Sequence, residues 1–446
     1  MNTLKTFAIG MAAGVLSLGA MAQSDIEFTE FTLDNGLHVI LHEDHSTPIV
    51  AISVLYHVGS KNEDPERTGF AHFFEHLLFE GTEHIGRGEY MEIIQSNGGA
   101  LNANTSADRT FYYEILPSNQ LELGLWMESE RMLHAKIDQV GVDTQREVVK
   151  EEKRQRIDNQ PYATFTMEMF KRAFTVHPYN WVPIGSLDDL NAAQLDEFIQ
   201  FYKTFYVPNN ATLSIAGDID VKETRAMIEK YFGDIPAGTH EIPRPDVEEP
   251  ALAGPIVDTI YDNIQLPATF WGYRIPKQTD QDAYALEVLT TLLSGGASSR
   301  MSTSLVDDQQ LALQVFSFPY TLEDEGLFIV LGLPQMDKDL AQLEEGMQAE
   351  IDRVKNELVS EREFQKVMNQ IESDFISGYS SVAGKAEALA NYHVYYGDAD
   401  LINNELERYR SVTREDLMRV AKKYLNDTNR VVLRYLPAQS QNSNAQ

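Results

Sequence analysis

Five consecutive residues carry the clearest chemistry in this chain: His72-Phe73-Phe74-Glu75-His76. On a helix, histidines four apart sit one turn apart on one face, where both imidazoles can bind a single metal ion. Glu75, three residues after the first histidine, falls beside them. There it is close enough to take a proton from a metal-bound water without itself being a ligand. The plain alternative is two surface histidines on an amphipathic helix. With 11 histidines in 446 residues, the five-residue pattern arises by chance in only a few per cent of such chains, roughly.

A catalytic zinc takes three protein ligands and keeps a position for water. The chain has no cysteine, so the third ligand is a histidine or a carboxylate. Around Arg146, the residues Gln145, Val148, Val149 and Glu152 follow helical spacing and form one stripe, which faces inward if the valines are core. Glu151 points away from that stripe. A carboxylate sharing a buried face with valines must be paired or bound, which selects Glu152, whereas Glu147 and Glu151 can be solvated. In the alternative reading Glu152 only pairs with Lys153 or Arg156.

These residues need a scaffold, and the pattern along the chain is α+β. Phe28 to Leu33, the turn Asp34-Asn35-Gly36 and Leu37 to His42 read as strand, hairpin turn and strand. Ile49 to Val58 is a further strand, and Thr68 to Phe79 reads as a helix stopped by Gly81. Asn102 to Leu116 is strand-like; long helical stretches cover Leu121 to Asp158 and Asp188 to Phe205, and Ala211 to Ala216 is a strand. Thr239 to Pro255, with four prolines and four acids, is a linker. Phe198, Tyr202, Phe205 and Leu213 then recur as Leu417, Ala421, Tyr424 and Val432 at a constant offset of 219, which points to an internal duplication. His38 and His42 alternate with apolar residues and read as an exposed strand face. Gly295 to Arg300 lacks the lysine of a phosphate loop and reads as a turn.

Composition narrows the partners. Thirty-six basic against 68 acidic residues leave a net charge of −32, which repels nucleic acid and anionic membrane surfaces. Lys5 followed by the apolar run Phe7 to Ala20 and Ala20-Met21-Ala22 reads as a secretory signal peptide over residues 1–22, cleaved after Ala22. The run is too short to span a bilayer. The expected setting is therefore a bacterial-type periplasm.

The motif, with Leu77-Leu78-Phe79-Glu80-Gly81-Thr82 after it, Gly98-Gly99 through Asn102-Ala103 to Thr105 and Tyr112, and His177-Pro178-Tyr179 before Gly185, resembles the inverted zinc metallopeptidases of the pitrilysin and mitochondrial processing peptidase type. The 76-residue interval from His76 to Glu152 fits that family. The resemblance implies two homologous α/β-sandwich domains, here 23–238 and 256–446 joined by a linker over 239–255, that together form half of a clamshell. It implies Zn2+ on His72, His76 and Glu152, Glu75 as the catalytic base, and a substrate strand added along Asn102 to Ser106 with Asn102 and Ala103 at its core. Unfolded or extended peptides are the implied substrates.

Two positions depart from the family. Gln145 stands where active members usually carry a glutamate, which bears on the electrostatics of the site. Active single-chain members also use an arginine and, seven residues later, a tyrosine in the C-terminal half. The matching segment here, Val306 to Leu313, holds valine and leucine at those places. The resemblance therefore implies a homologous partner subunit that supplies the Arg/Tyr pair, with Arg300 or Tyr320 acting within the chain as the alternative. The rival function is a non-catalytic peptide-holding or structural subunit of the same fold.

Overall fold

The computed structural model describes residues 25–438, so the leader read over 1–22 lies outside the described residues. The first half contains β1 (Thr29–Thr32), β2 (His38–Glu43), β3 (Ile49–Tyr56), α1 (Phe70–Leu77), α2 (Glu89–Ser96), β4 (Ala100–Thr105), β5 (Thr110–Pro117), α3 (Leu121–His134), α4 (Gln139–Lys153), α5 (Phe165–Ala173), α6 (Leu187–Ala192), α7 (Leu195–Phe205), β6 (Ala211–Gly217) and α8 (Val221–Phe232). The second half contains β7 (Ile256–Asp262), β8 (Ala268–Ile275), α9 (Gln281–Ser294), β9 (Ala312–Tyr320), β10 (Gly326–Pro334), α10 (Leu340–Asn356), α11 (Glu361–Gly378), α12 (Val382–Asn391), α13 (Leu401–Arg410), α14 (Arg414–Tyr424) and β11 (Arg430–Pro437). This is the α+β class expected from the sequence.

The strands form two mixed sheets, β1-β2-β6-β3-β5-β4 and β7-β11-β8-β10-β9. Apart from β1 the two orders correspond strand for strand, and in each the parallel pair falls at the same place, β2 with β6 and β7 with β11. The 219-residue offset is visible in detail. Helix, turn and strand run from 195 to 217 and again from 414 to 437. Asn210 donates its side-chain amide to Phe205 O at 2.8 Å, and Asn429 donates to Tyr424 O at 3.0 Å. Each asparagine closes the passage from helix into strand by satisfying a carbonyl left open at the helix end.

Period-two alternation gives each sheet two apolar faces. On β3, Val50, Ile52, Val54 and Tyr56 join the core formed with the helices of the first half, while Ala51 and Leu55 face the other way. What covers that second face comes from the other half of the chain. Val382 and Ala386 of α12 pack on Ala51 and Ala216, and Ala388 and Leu389 pack with Ile40. The small residues on both sides let the helix approach the sheet closely. Reciprocally, Met169, Phe170 and Ala173 of α5 pack on Phe270, Leu327, Ile329, Val431 and Leu433 of the second sheet. Gly272 admits this helix, because a Cβ there would lie 2.4 Å from Met169 Sδ.

This exchange corrects one expectation. His42 is buried: its Nδ1 lies 2.7 Å from Glu27 O and its Nε2 faces Lys385 of α12 at 3.1 Å, while His38 stacks on His393. The strand face they occupy is exposed only until α12 lies across it. A second correction concerns Asn102 to Leu116, which is a hairpin rather than one strand: β4 and β5 pair antiparallel around Ser106 to Arg109.

Residues 233–255 contain no helix or strand and are fastened at intervals. Arg244 donates to His57 O, and Glu249 accepts the backbone N–H groups of Thr175, Val176 and His177 at 2.8–2.9 Å. Lys61, almost fully buried, joins Asp108 at 3.0 Å to Glu323 at 2.6 Å across the halves. Covalent continuity through Thr239 to Ile242 is therefore not what holds the halves together. A protease site introduced there should, after complete cleavage, give two fragments that co-elute at the intact size in gel filtration. Separate elution without denaturant would show that the exchanged helices do not bind the halves.

Candidate metal centre

Helix α1 is built to present a polar edge from an apolar body. Phe70 stacks on Phe198, Phe73 meets the same ring at a tilt, and Phe74 stacks on Phe201, all packed in the first core. The start of the helix is set by two glycines in contact. Gly69 has φ +97°, and a Cβ on Gly185 would lie 2.3 Å from Gly69 N, so neither position admits a side chain. Glu63 caps the first turn, accepting the N–H groups of Gly69 and Ala71 at 2.8 Å each. With the apolar residues committed inward, His72, Glu75 and His76 face α4 and the edge strand β4.

Helix α4 begins at Asp138, whose side chain accepts from Gly141 N at 2.8 Å, and brings Glu152 to the histidines in its last turn. Glu152 Oε2 lies 2.9 Å from His76 Nε2 and 3.6 Å from His72 Nε2. The two imidazole rings are 4.9 Å apart and nearly perpendicular, at 83°. Three donors at these separations suit one tetrahedral zinc, whose ligand atoms, with bonds of about 2.0–2.2 Å, stand roughly 3.3–3.5 Å from each other. Glu152 Oε2 is buried and takes no hydrogen bond from the protein, as suits a lone pair meant for a cation. The site therefore fits zinc.

Electrostatics agree. Burial first, and then the neighbouring His76, hold His72 down to about 4, so its ring is neutral and can offer a lone pair. The adjacent His76 imidazole holds the Glu152 carboxyl below its ordinary value in spite of partial burial. Glu152 also pairs with Arg156, 2.6 Å from its Oε1. The two readings of Glu152 thus coexist, one oxygen facing the histidines and the other the guanidinium, while Lys153 pairs with Asp158 instead. Glu151 is exposed and bonded to Arg154 and Gln155.

The stripe used to choose Glu152 was half right. Val149 is fully buried, but Val148 is 42% exposed, and the line facing α1 runs through Val142, Gln145, Val149 and Glu152. Gln145 donates its amide to Glu80, a buried carboxylate that also pairs with Arg87. A glutamate at 145 would set two carboxylates against each other, so the glutamine belongs with Glu80. Sequence reasoning missed this pairing, because its members lie 65 residues apart.

Glu75 sits outside the three-donor set. Thr105, the last residue of β4, donates its hydroxyl to Glu75 Oε2 at 2.7 Å, and burial raises the Glu75 carboxyl against that bond. Strand β4 is the edge of its sheet, paired only with β5. On it Asn102 is exposed and Ala103 is buried against the core. Val306 lies in a helical turn at 302–308 and Leu313 on β9, and neither side chain can donate a hydrogen bond. Arg300 is buried and spans Glu363 with two bonds of 2.8 Å; Tyr320 packs on Phe170. Replacing Glu152 with Gln should lower retained zinc after dialysis against a mild chelator by at least tenfold, while Glu151→Gln retains wild-type content. Equal losses would remove Glu152 from the ligand set.

Comparison with known proteins identifies the family. Residues 38–180 match the family model described as Insulinase (Peptidase family M16), and residues 192–371 match the one described as Peptidase M16 inactive domain. The chain is 32% identical over 438 residues to the zinc protease PqqE of Helicobacter pylori, covering 95% of this chain and 98% of that protein. The crystal structure of a protease from Helicobacter pylori superposes with a TM-score of 0.88 at 30% identity, over 92% of this chain and all of the other. The periplasmic protease PqqL of Escherichia coli shares the fold at 20% identity and TM-score 0.77, with 95% of this chain matching 49% of that one. A two-sheet α+β scaffold, a paired-histidine helix with a convergent glutamate, and full-length similarity to a zinc protease lead to one assignment: the chain belongs to peptidase family M16, whose metal is zinc.

Proposed function

We propose that this chain is the catalytic, zinc-bearing half of a periplasmic endopeptidase that cleaves unfolded or extended peptides, with His72, His76 and Glu152 as ligands and Glu75 as the base. The observation that carries the proposal is the bond from Thr105 to Glu75, because it ties the basic carboxylate to the end of an unpaired edge strand. Bound at this site, zinc lowers the pKa of a coordinated water toward neutrality and polarises a scissile carbonyl. Glu75 accepts the proton of the attacking water and passes it to the leaving amine; burial raises its carboxyl, which makes the carboxylate a better proton acceptor. Thr105 holds one oxygen of Glu75 and leaves the other for water.

An extended peptide laid along Asn102 and Ala103 would continue β4's sheet by backbone pairing, which selects for conformation rather than sequence. A cavity of about 640 Å³ between the halves begins at Ser106, next to Thr105, and is walled by Tyr320, Tyr379 and Tyr395, giving such a peptide room beyond the strand. The domain limits proposed, 23–238 and 256–446 around a linker at 239–255, place all the chemistry in the first. The match to about half of PqqL, together with Val306 and Leu313 where oxyanion donors are expected, supports a homologous partner that contributes the arginine and tyrosine.

Glu75→Gln should retain zinc yet lose peptide hydrolysis by a factor of about 100 or more, the range for removal of a general base. Near wild-type turnover with zinc bound would refute the base assignment. The chain purified alone should cut a quenched unstructured peptide weakly, since lost oxyanion donors cost about 10²–10³ in rate. Adding a co-purified homologue should restore that rate. Full activity from the isolated chain that Arg300→Ala or Tyr320→Phe abolishes would show internal donors. No activity in any combination would favour the peptide-holding reading.

A further inference from the structure

A second cluster of two histidines and a glutamate lies at the far end of α3. Glu130 and His134 are one turn apart on that helix, and His84 comes from the loop that follows α1. One ligand atom from each falls within 4.8 Å of the others. Its ring arrangement and one of its His–Glu separations match those of the first centre. His84 and His134 have ring centroids 5.3 Å apart at 86°, against 4.9 Å and 83° for His72 and His76. His84 Nδ1 lies 2.9 Å from Glu130 Oε2, the separation found between His76 and Glu152.

Ring orientation separates this cluster from another histidine pair. An imidazole binds metal through a lone pair in its own plane. His38 and His393, grouped with Glu30, are parallel to within 2° at 3.5 Å, so no point lies in both planes and one ion cannot be served by both rings. The nearly perpendicular planes of His84 and His134 intersect, and an ion on that line can be reached by both.

The site is also held in place. The carboxylate of Glu130 is buried and accepts the Thr82 hydroxyl at 2.8 Å, leaving it oriented toward His84. That hydroxyl in turn accepts from the backbone N–H groups of His84 and Ile85 at 3.1 and 3.0 Å. Backbone bonds from Glu83 N to His134 O at 3.0 Å and from Lys136 N to Gly81 O at 3.0 Å bind the loop to the end of α3. Glu83 Oε2 stands 3.4 Å from His134 Nδ1, outside the three-donor group. Such supporting bonds to a ligating carboxylate are what a metal site requires of its surroundings.

We propose that His84, Glu130 and His134, with water as fourth ligand, form a second metal site that takes a divalent late first-row cation, zinc above all, and clamps the loop after α1 to the end of α3. Two imidazoles with one or two carboxylate oxygens suit zinc and disfavour calcium or magnesium, which prefer oxygen alone. The side chain of His84 is 59% exposed and that of His134 30%, so the ion exchanges readily and binds more weakly than one at the first centre.

The test is zinc stoichiometry on the stripped mature chain, titrated with zinc chloride and read by equilibrium dialysis with metal analysis. Wild type should bind two ions per chain. His84→Ala/His134→Ala should bind one, with the tighter phase unchanged. In a Glu152→Gln background, which weakens the first centre, zinc should still raise Tm with concentration, and adding His84→Ala/His134→Ala should abolish that rise. Saturation of wild type at one ion that His84→Ala/His134→Ala retains, or two ions still bound by His84→Ala/His134→Ala with circular dichroism and Tm of the metal-free form unchanged, would overturn the proposal. Because the second ion is counted by difference between wild type and His84→Ala/His134→Ala, a wrong assignment at the first centre changes the other phase and is told apart.

Discussion

Arg131 is the charge around which the first half is assembled. It is 1% exposed, and its guanidinium carbon lies 4.6, 4.5 and 4.3 Å from the ring centroids of Phe79, Tyr90 and Tyr112. Two fully buried carboxylates, Glu128 at 3.2 Å and Glu114 at 3.7 Å, share this one cation. Burial, and then Glu128, push the Glu114 carboxyl far above its ordinary value. Breaking such a buried pair by removing one partner typically costs about 3–5 kcal/mol. The arrangement joins α2, α3, β5 and the turn after α1, and Tyr112 extends it by donating to Phe74 O of α1 at 3.0 Å. The direction in which His72 and His76 point therefore depends on a residue that touches neither.

Duplication has separated scaffold from chemistry. In the second sheet, α9 stands between β8 and β9 where α1 stands between β3 and β4, yet it is buried on nearly every side and carries no histidine. A helix buried on nearly every side has little polar edge on which to mount a metal. The second half instead contributes shape: α12 seals the first sheet, and the β9–β10 turn supplies Glu323 to the buried Lys61.

Much of this was legible in the chain itself. The Asp34-Asn35-Gly36 turn is realised with Gly36 at φ +88°, the paired histidines lie on a helix, and the 219-residue offset corresponds to a repeated helix, turn and strand. What could not be read concerns relations between distant segments. Adjacent valines at 148 and 149 are equivalent until the neighbour is known, and only then does the rotation of α4 expose the first. The apolar second face of a strand announces that something covers it, but not that the cover arrives more than 300 residues later. Thr105 and Glu75 likewise meet only because β4 runs along the end of α1.

The exchange of α5 and α12 has a consequence for biosynthesis. When the first 238 residues have left the ribosome, the sheet that carries the metal helix still has Ile40, Ala51, Leu55 and Ala216 on a bare face, because the helix that covers them ends at Asn391. Close packing of that face must wait until nearly the whole polypeptide has been made. A chain that delays its own closure in this way makes folding a late, whole-molecule event.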